Sequence, residues 1–579
     1  MKTPSWIWKW TRRMLFTLLG LVTLTVLMIA FENWRAKRDW LAYREAWTGK
    51  GELFDRMAFM PGDIPDEENL AATPLLAPLR DYDFDPRTGA GVVWKDPDAV
   101  ARLSRHFGWH TGLKSGGSPF MGAGFADFSI DTDRVKAAAS AAANASGTGA
   151  TEPADGPDSD GDGLTDLQES YLGTDPQKPD QAAAELRRAL ELAERPELPG
   201  GRPEGRLAPL AGLEGRALAE GLLHLLEADR PAFDEIAAAA ASRPHLVFNA
   251  GRMDPTGPLL AQLSPVKSIA AAFRTRALAR LLADDPTGAL EDIETALAIG
   301  DRLQSEPLLI TGLVRLAVAM TVVQPIWEGL ARHQWSPEQL ARLQRALGRL
   351  NLVEEGAFYL RAERAYSLML FDFMLRRPSE LSQVQSDLVP PVGRFLPSAI
   401  VYRNELAVAR DFQEKLLPLL DPGRRTVDME RLRQLTETAE AEAGRLKGGF
   451  PPFKVSPYRI FAWMLLPAIQ RVPEKFAQGQ AWITLAEVAC ALERHRLEKH
   501  DLPGNLEALA PEFLDQAPLD PAGGGPLHYR RLSPTRFVLY SVGPGATDNG
   551  GEVVRRERDG MALPADPKGD WVWTYPESP

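Results

Sequence analysis

The run MLFTLLGLVTLTVLMIAF, Met14 to Phe31, places eighteen consecutive uncharged residues near the amino terminus. At about 1.5 Å per residue, a helix of that length spans roughly 27 Å, close to the ~30 Å hydrocarbon core of a bilayer. Trp6, Trp8 and Trp10 precede it and Trp34 and Trp40 follow it, where indole rings suit the two interfaces. No small-residue cleavage site follows, so the segment reads as an uncleaved, single-pass signal anchor. Its flanks are nearly matched in charge, Lys2, Lys9, Arg12 and Arg13 against Arg35, Lys37 and Arg38. Long domains translocate largely regardless of charge, so residues 1–13 are expected in the cytoplasm and the body on the periplasmic, extracytoplasmic side of an inner membrane.

The remaining length is enough for several folding units, because 579 residues at about 150 per domain suggest three or four. With 78 acidic against 66 basic residues the net charge is -12, and no Lys/Arg-rich stretch stands away from the membrane flanks. A nucleic-acid groove has no electrostatic footprint in such a chain. Cys490 is the one cysteine, which excludes an intrachain disulfide and a CxxC metal or redox site. In AEVACALERHRL it is expected to be a small buried helix residue.

The fold class expected is mainly α, with an N-terminal transmembrane helix (14–31), a central helical bundle or short TPR-like solenoid, and a small α+β C-terminal module. Residues 32–134 mix helical pieces such as WRAKRDWLAYREAW with broken segments such as PGDIPDEENLAATPLLAPL, as an irregular membrane-proximal layer would. HFGWH has ligand-like spacing at His106 and His110, but Gly108 weakens a helix there and no third ligand is close in sequence. The Ala/Gly/Ser/Pro-rich residues 135–157 are expected to form a mobile linker. From 181 to 479 apolar residues recur at three and four, and WSPEQL marks a helix start, with Ser336 capping, Pro337 first and Gln339 closing a capping box. LLEADRPAFDEIAAAAA from Leu225 and LLADDPTGALEDIETALA from Leu281 resemble each other. Ala289, Ile293 and Ala296 repeat the small-large-small spacing by which tetratricopeptide-like helix pairs nest.

Between linker and helical region, within 158–180, stands DSDGDGLTDLQE. Asp158, Asp160, Asp162 and Asp166 supply carboxylates at EF-hand ligand positions, Leu164 a backbone carbonyl, and Glu169 a bidentate closing carboxylate. Gly163 stands where that loop turns sharply, completing D-x-[DN]-x-[DN]-G-x5-E. These hard oxygen donors suit Ca2+, which takes six to eight of them. No entering helix precedes the loop. With LTDLQESYLG and TDPQKPD after it, the stretch resembles one unit of the bacterial thrombospondin type 3-like arrays. The alternative is a solvated acidic linker.

Residues 480–579 change character: a helix through AWITLAEVACALERHRLEKH, then strand-like PLHYRR and RFVLYSVG around the turn LSPT, then GDWVWTY. The order ERHRL, LPGNLEAL, PLDP, PLHY, LYSVG, DNGG and GDW resembles the globular end of type II secretion pseudopilins. It is also similar to the C-terminal region of a family of uncharacterised membrane-anchored bacterial proteins that carry a stretch like PDEENLAATPLLAPL. FTLLGLVTL from Phe16 looks like a pseudopilin start, but Leu15 and Gly20 stand where that family has glycine and glutamate. The resemblance implies a second calcium site near Asp548 and Asp570, with polar turn residues as the alternative. It also implies that the module packs on helices of the same chain, since a sheet of about three strands is marginal alone.

GxSxG, HExxH, P-loop and GxGxxG motifs are absent from the sequence. His495 and His500 lie about 500° apart around a helix, and Glu493 and Glu498 beside them read as a solvated face. No catalytic residue is assigned. The function expected is a membrane-anchored, exported calcium-binding scaffold or interaction protein of the bacterial envelope, with envelope or secretion-system proteins as partners. The alternative is an envelope enzyme with a site in the helical domain.

Overall fold

The computed structural model describes residues 5–84, 92–113, 129–145, 203–248, 260–376, 397–445, 458–459, 462, 469–552 and 569–573. In chain order the helices are α1 (Ser5–Thr48), α2 (Pro97–Phe107), α3 (Thr132–Ala145), α4 (Gly215–Glu227), α5 (Arg230–Ser242), α6 (Leu260–Leu282) and α7 (Pro286–Arg302). They continue as α8 (Leu309–Thr321), α9 (Val323–Ala331), α10 (Pro337–Gly348), α11 (Leu352–Arg376), α12 (Ser398–Arg410), α13 (Met429–Arg445) and α14 (Val472–Lys499). Two short antiparallel pairs are β1 (Tyr82–Phe84) with β2 (Val92–Trp94) and β3 (Leu420–Asp421) with β4 (Thr426–Val427). A three-stranded antiparallel sheet follows, in the order β5 (His528–Arg531), β6 (Phe537–Ser541), β7 (Trp571–Trp573). The protein is mainly α, as the periodicity requires.

The apolar run lies in α1, which is long and apolar enough to cross a membrane and leaves that window wholly unburied. A second apolar stretch, Leu309–Ala331, is 72% buried and forms core. The helix expected after the anchor is not a separate piece, because α1 runs unbroken to Thr48. No proline or glycine stands between Gly20 and Gly49, and Arg35 pairs with Glu32 and Asp39 on adjacent turns. Past Phe31 the same helix turns a face inward. Ala36 and Trp40 are buried, and α12 packs along it. Arg403 of α12 bridges Glu32 and Asp39 at 3.0 and 2.9 Å, and the Asn33 side chain accepts the Ala399 amide at the start of α12.

The two similar stretches fall on corresponding turns, between α4 and α5 and between α6 and α7. α4 packs on α6 and α5 on α7, while Ala289, Ile293 and Ala296 are fully buried. The capping box at Ser336 and Gln339 is present. α14 passes position 480 without interruption, and from Gly479 to Glu493 every residue except the partly exposed Glu487 is buried, Cys490 included. α8, α9, α10 and α11 pack against it, as do β6 and β7. The C-terminal sheet therefore shares one hydrophobic core with the helical body and with Trp40, Phe54 and Leu70 of the membrane-proximal layer.

That layer is joined to the body by polar groups as well. Asn69, from the PDEENLAATPLLAPL stretch, is fully buried and exchanges hydrogen bonds with both the amide and the carbonyl of Val247. Arg364, also fully buried, donates to Glu52 and to the Leu53 carbonyl, reaches Gln413, and lies over the Phe54 ring.

Glu405 of α12 is buried, with one carboxylate oxygen lacking a hydrogen-bond partner. Burial, reinforced by the charge of Asp372 and opposed by Arg44, raises its carboxyl to about 8. A carboxyl raised on folding favours the native state below its ordinary value of 4.5, and that contribution is lost as pH rises through about 8. Thermal unfolding in detergent, followed by circular dichroism, is expected to show stability falling across this window. Glu405→Gln should match the parent at about pH 5 and exceed it at about pH 9, by about 4 kcal/mol.

Candidate functional site

The six expected calcium ligands, Asp158, Asp160, Asp162, Leu164, Asp166 and Glu169, lie outside the described residues. Among the described residues, no group of three or more His, Cys, Asp or Glu side chains is placed to hold a metal ion. His106 instead pairs with buried Asp229 at 2.7 Å, where Arg206 also donates, and the His110 ring contacts the Phe107 carbonyl oxygen. Gly108 caps the end of α2 between them.

At the C-terminal end, Asp548 and Asp570 organise one turn from two directions. Asp548 accepts from the Gly550 amide and the Tyr540 hydroxyl, at 2.7 and 3.0 Å, and these bonds hold its carboxyl below the usual range. Asp570 accepts from the amides of Asn549 and Gly551 at 3.1 and 2.9 Å. Burial nevertheless raises its carboxyl. Gly550 and Gly551 both take φ near +75°, a conformation that glycine adopts without strain. His528 stacks on Tyr540, with ring centroids 4.8 Å apart, and its Nδ1 lies 3.4 Å from Asp548. Both carboxylates therefore act as turn acceptors here. Upstream, Asp520 of PLDP is buried and accepts from the Ser541 hydroxyl and the Val542 amide, tying that loop to the end of β6.

The helix end expected to be solvated is not uniformly so. Glu493 is buried and paired with Arg496 and His333, because α14 continues under the α9–α10 turn. His495 contacts the Asp501 carbonyl oxygen, and His500 ends α14 with φ 61°.

The feature that sequence reasoning missed is a cleft of about 740 Å³ between the end of α7, α8 and the start of α11. On its floor Arg315 donates two 2.6 Å bonds to the carboxylate of Glu355 and a 3.0 Å bond to Asp301. Burial opposes the guanidinium charge, but Glu355 and Asp301 more than offset it and hold the group above its ordinary pKa. On one wall the His245 Nδ1 lies 2.7 Å from the Ser305 hydroxyl, and among the described residues its other ring nitrogen has no partner. Backbone bonds from Leu70 to His245 and from His245 to Glu68 seat that wall on the membrane-proximal layer. Just behind, Glu306 is buried and pushed up to about 7 by burial, and Tyr359 leaves its hydroxyl without a partner. The available signal was charge inside apolar runs, Arg315 in LVRLAV and Glu355 in LVEEGAF.

The family model of the bacterial TSP3 repeat matches residues 158–179, the stretch that carries the acidic loop. Repeats of this thrombospondin type 3-like kind bind calcium and point to an exported protein. No curated protein matches the chain, and no solved structure does.

Removing one partner of a buried ion pair strands the other charge, at a cost of about 3–5 kcal/mol. Glu355→Ala is therefore expected to lower stability to denaturant by about that amount, whereas the double change Arg315→Met with Glu355→Leu should recover most of it.

Proposed function

We propose that this is a membrane-anchored, exported calcium-binding scaffold or interaction protein of the bacterial envelope. The observation that carries the reading is the coincidence, in one short stretch, of the TSP3 match and a complete EF-hand-type ligand pattern. Asp158, Asp160, Asp162 and Asp166 would hold Ca2+ through carboxylates, Leu164 through its carbonyl, and Glu169 by two oxygens, a donor set that fits a hard cation. The helix α1 supports anchoring, as an unburied apolar span continuous with the folded body. The C-terminal module, whose order of sequence motifs resembles the globular end of pseudopilins, is the surface we assign to envelope or secretion-system partners.

A single loop without an entering helix should bind in the range of extracellular modules, on the order of 0.1–1 mM. It would then be mostly empty at cytoplasmic calcium. At ~1 mM outside and a dissociation constant of ~0.1 mM it would be about 90% loaded and gain about 1.4 kcal/mol. Its role is to stiffen the junction between linker and helical body after export. The enzyme reading rests on Ser305 and His245 in the cleft, and it ranks second because no carboxylate among the described residues orients the imidazole.

Calorimetry on the detergent-solubilised chain tests the calcium reading. Heat saturating near millimolar calcium, lost in Asp160→Ala and in Glu169→Ala, is the expected result; heat unchanged by both substitutions, or none at all, ends the proposal.

A further inference from the structure

The volume of the cleft over Arg315 lies within the range of small-molecule sites, and the chemistry of its walls is specific enough to choose a ligand class. Its floor offers no charge to an ion, since Arg315 is already held by Glu355 and Asp301. The charged lining balances as well: Arg302, Arg315 and Arg349 stand against Asp301, Glu354 and Glu355. A cleft of balanced charge exerts little field on a phosphate, a polyanion or a cation.

What remains uncommitted is polar and double-handed. The side chains of Arg349 and Gln304 are exposed on the rim with no hydrogen-bond or ion-pair partner among the described residues, and His245 keeps one ring nitrogen unengaged. Beside these donors stand two carboxylates with one oxygen each already engaged, Glu354 by the Asn351 side-chain amide and the partly exposed Asp301 by Arg315, their other oxygens having no partner among the described residues. A hydroxyl group both donates and accepts, so closely spaced hydroxyls satisfy such an interleaved set where a one-sided ion would not. The cleft also has an aromatic edge. Phe358 is half-buried and is buttressed by Phe59, with ring centroids 5.9 Å apart at 63°, so its ring is held in place at the cleft edge. A preset aromatic ring suits the C–H face of a pyranose, which carries its polar groups around its rim.

We propose that this cleft binds a neutral, polyhydroxylated ligand, a short stretch of oligosaccharide chain, stacked on Phe358 and hydrogen-bonded by Arg349, Gln304 and His245. None of the residues assigned to this site is among those assigned to calcium.

The test is saturation-transfer NMR and calorimetry on the detergent-solubilised full chain, with cellotetraose, maltotetraose, xylotetraose and chitotetraose as probes. Inorganic phosphate and the zwitterion trialanine serve as controls. At least one tetrasaccharide is expected to bind, and Phe358→Ala and Arg349→Ala should each weaken it about tenfold. Gln304→Ala, a rim change with no packing role, keeps the test valid should Phe358→Ala fail to fold, and is expected to weaken binding as well. Failure of every tetrasaccharide to bind overturns the proposal. So does binding indifferent to all three substitutions, or displacement of the sugar by phosphate or trialanine.

Discussion

Almost everything in this molecule rests on α14, a helix with no solvent side over most of its length. From Gly479 to Glu493 every residue except the partly exposed Glu487 is buried, the pattern of a helix in the centre of a protein rather than lying on it. Two glycine contacts show how closely it is packed. Gly479 lies directly against Leu316 of α8, and Phe476 lies directly against Gly356 of α11, so a methyl group at either glycine would collide with its neighbour. Because α8 and α11 both pack on α14, Arg315 and Glu355 are brought face to face although forty residues separate them. The strands that follow α14 pack on it too. The module expected to begin at position 480 shares its central helix and its core with the body.

Much of this was legible from local pattern. The helical period, the cap at Ser336, the buried Cys490 and the hairpin LHYRR–LSPT–RFVLYS each depend on residues close in sequence, and the structure carries all four. The resemblance between the stretches at Leu225 and Leu281 likewise reappears as two equivalent turns. What was not legible depends on distant partners. The spacing of His106 and His110 alone could not say what either ring would meet: Asp229, 123 residues away, takes the His106 ring nitrogen. Glu493 looked solvated because nothing local announces that His333 and the α9–α10 turn cover it. The cleft is the extreme case, since its walls come from the end of α7, from α8 and from α11, and no short motif spans them. The acidic loop is the reverse: all its donors lie within twelve residues, so it is legible without a fold around it.

Asn69 and Arg364 show how an irregular layer can be held without a large core of its own. Each is fully buried, and each satisfies backbone or carboxylate groups across the boundary, where an unpaired polar atom would be costly. Such bonds fix position more than they add stability, because their geometry tolerates little sliding. The wall of the cleft at His245 inherits that precision through its neighbours Glu68 and Leu70.

The continuity of α1 has a mechanical consequence. Seventeen residues of the helix extend past Phe31, roughly 25 Å of rod, and Arg403 and the Ala399 amide of α12 grip it at Glu32 and Asn33, just beyond the apolar run. There is no swivel between stalk and load. In a bilayer, where such helices lean by about 20° on average, the lean of the stalk becomes the lean of the whole body. If α1 is the anchor proposed above, a local change in membrane thickness would tip the cleft and the C-terminal sheet together, and lipid composition, rather than a hinge, would set the direction in which this protein faces its surroundings.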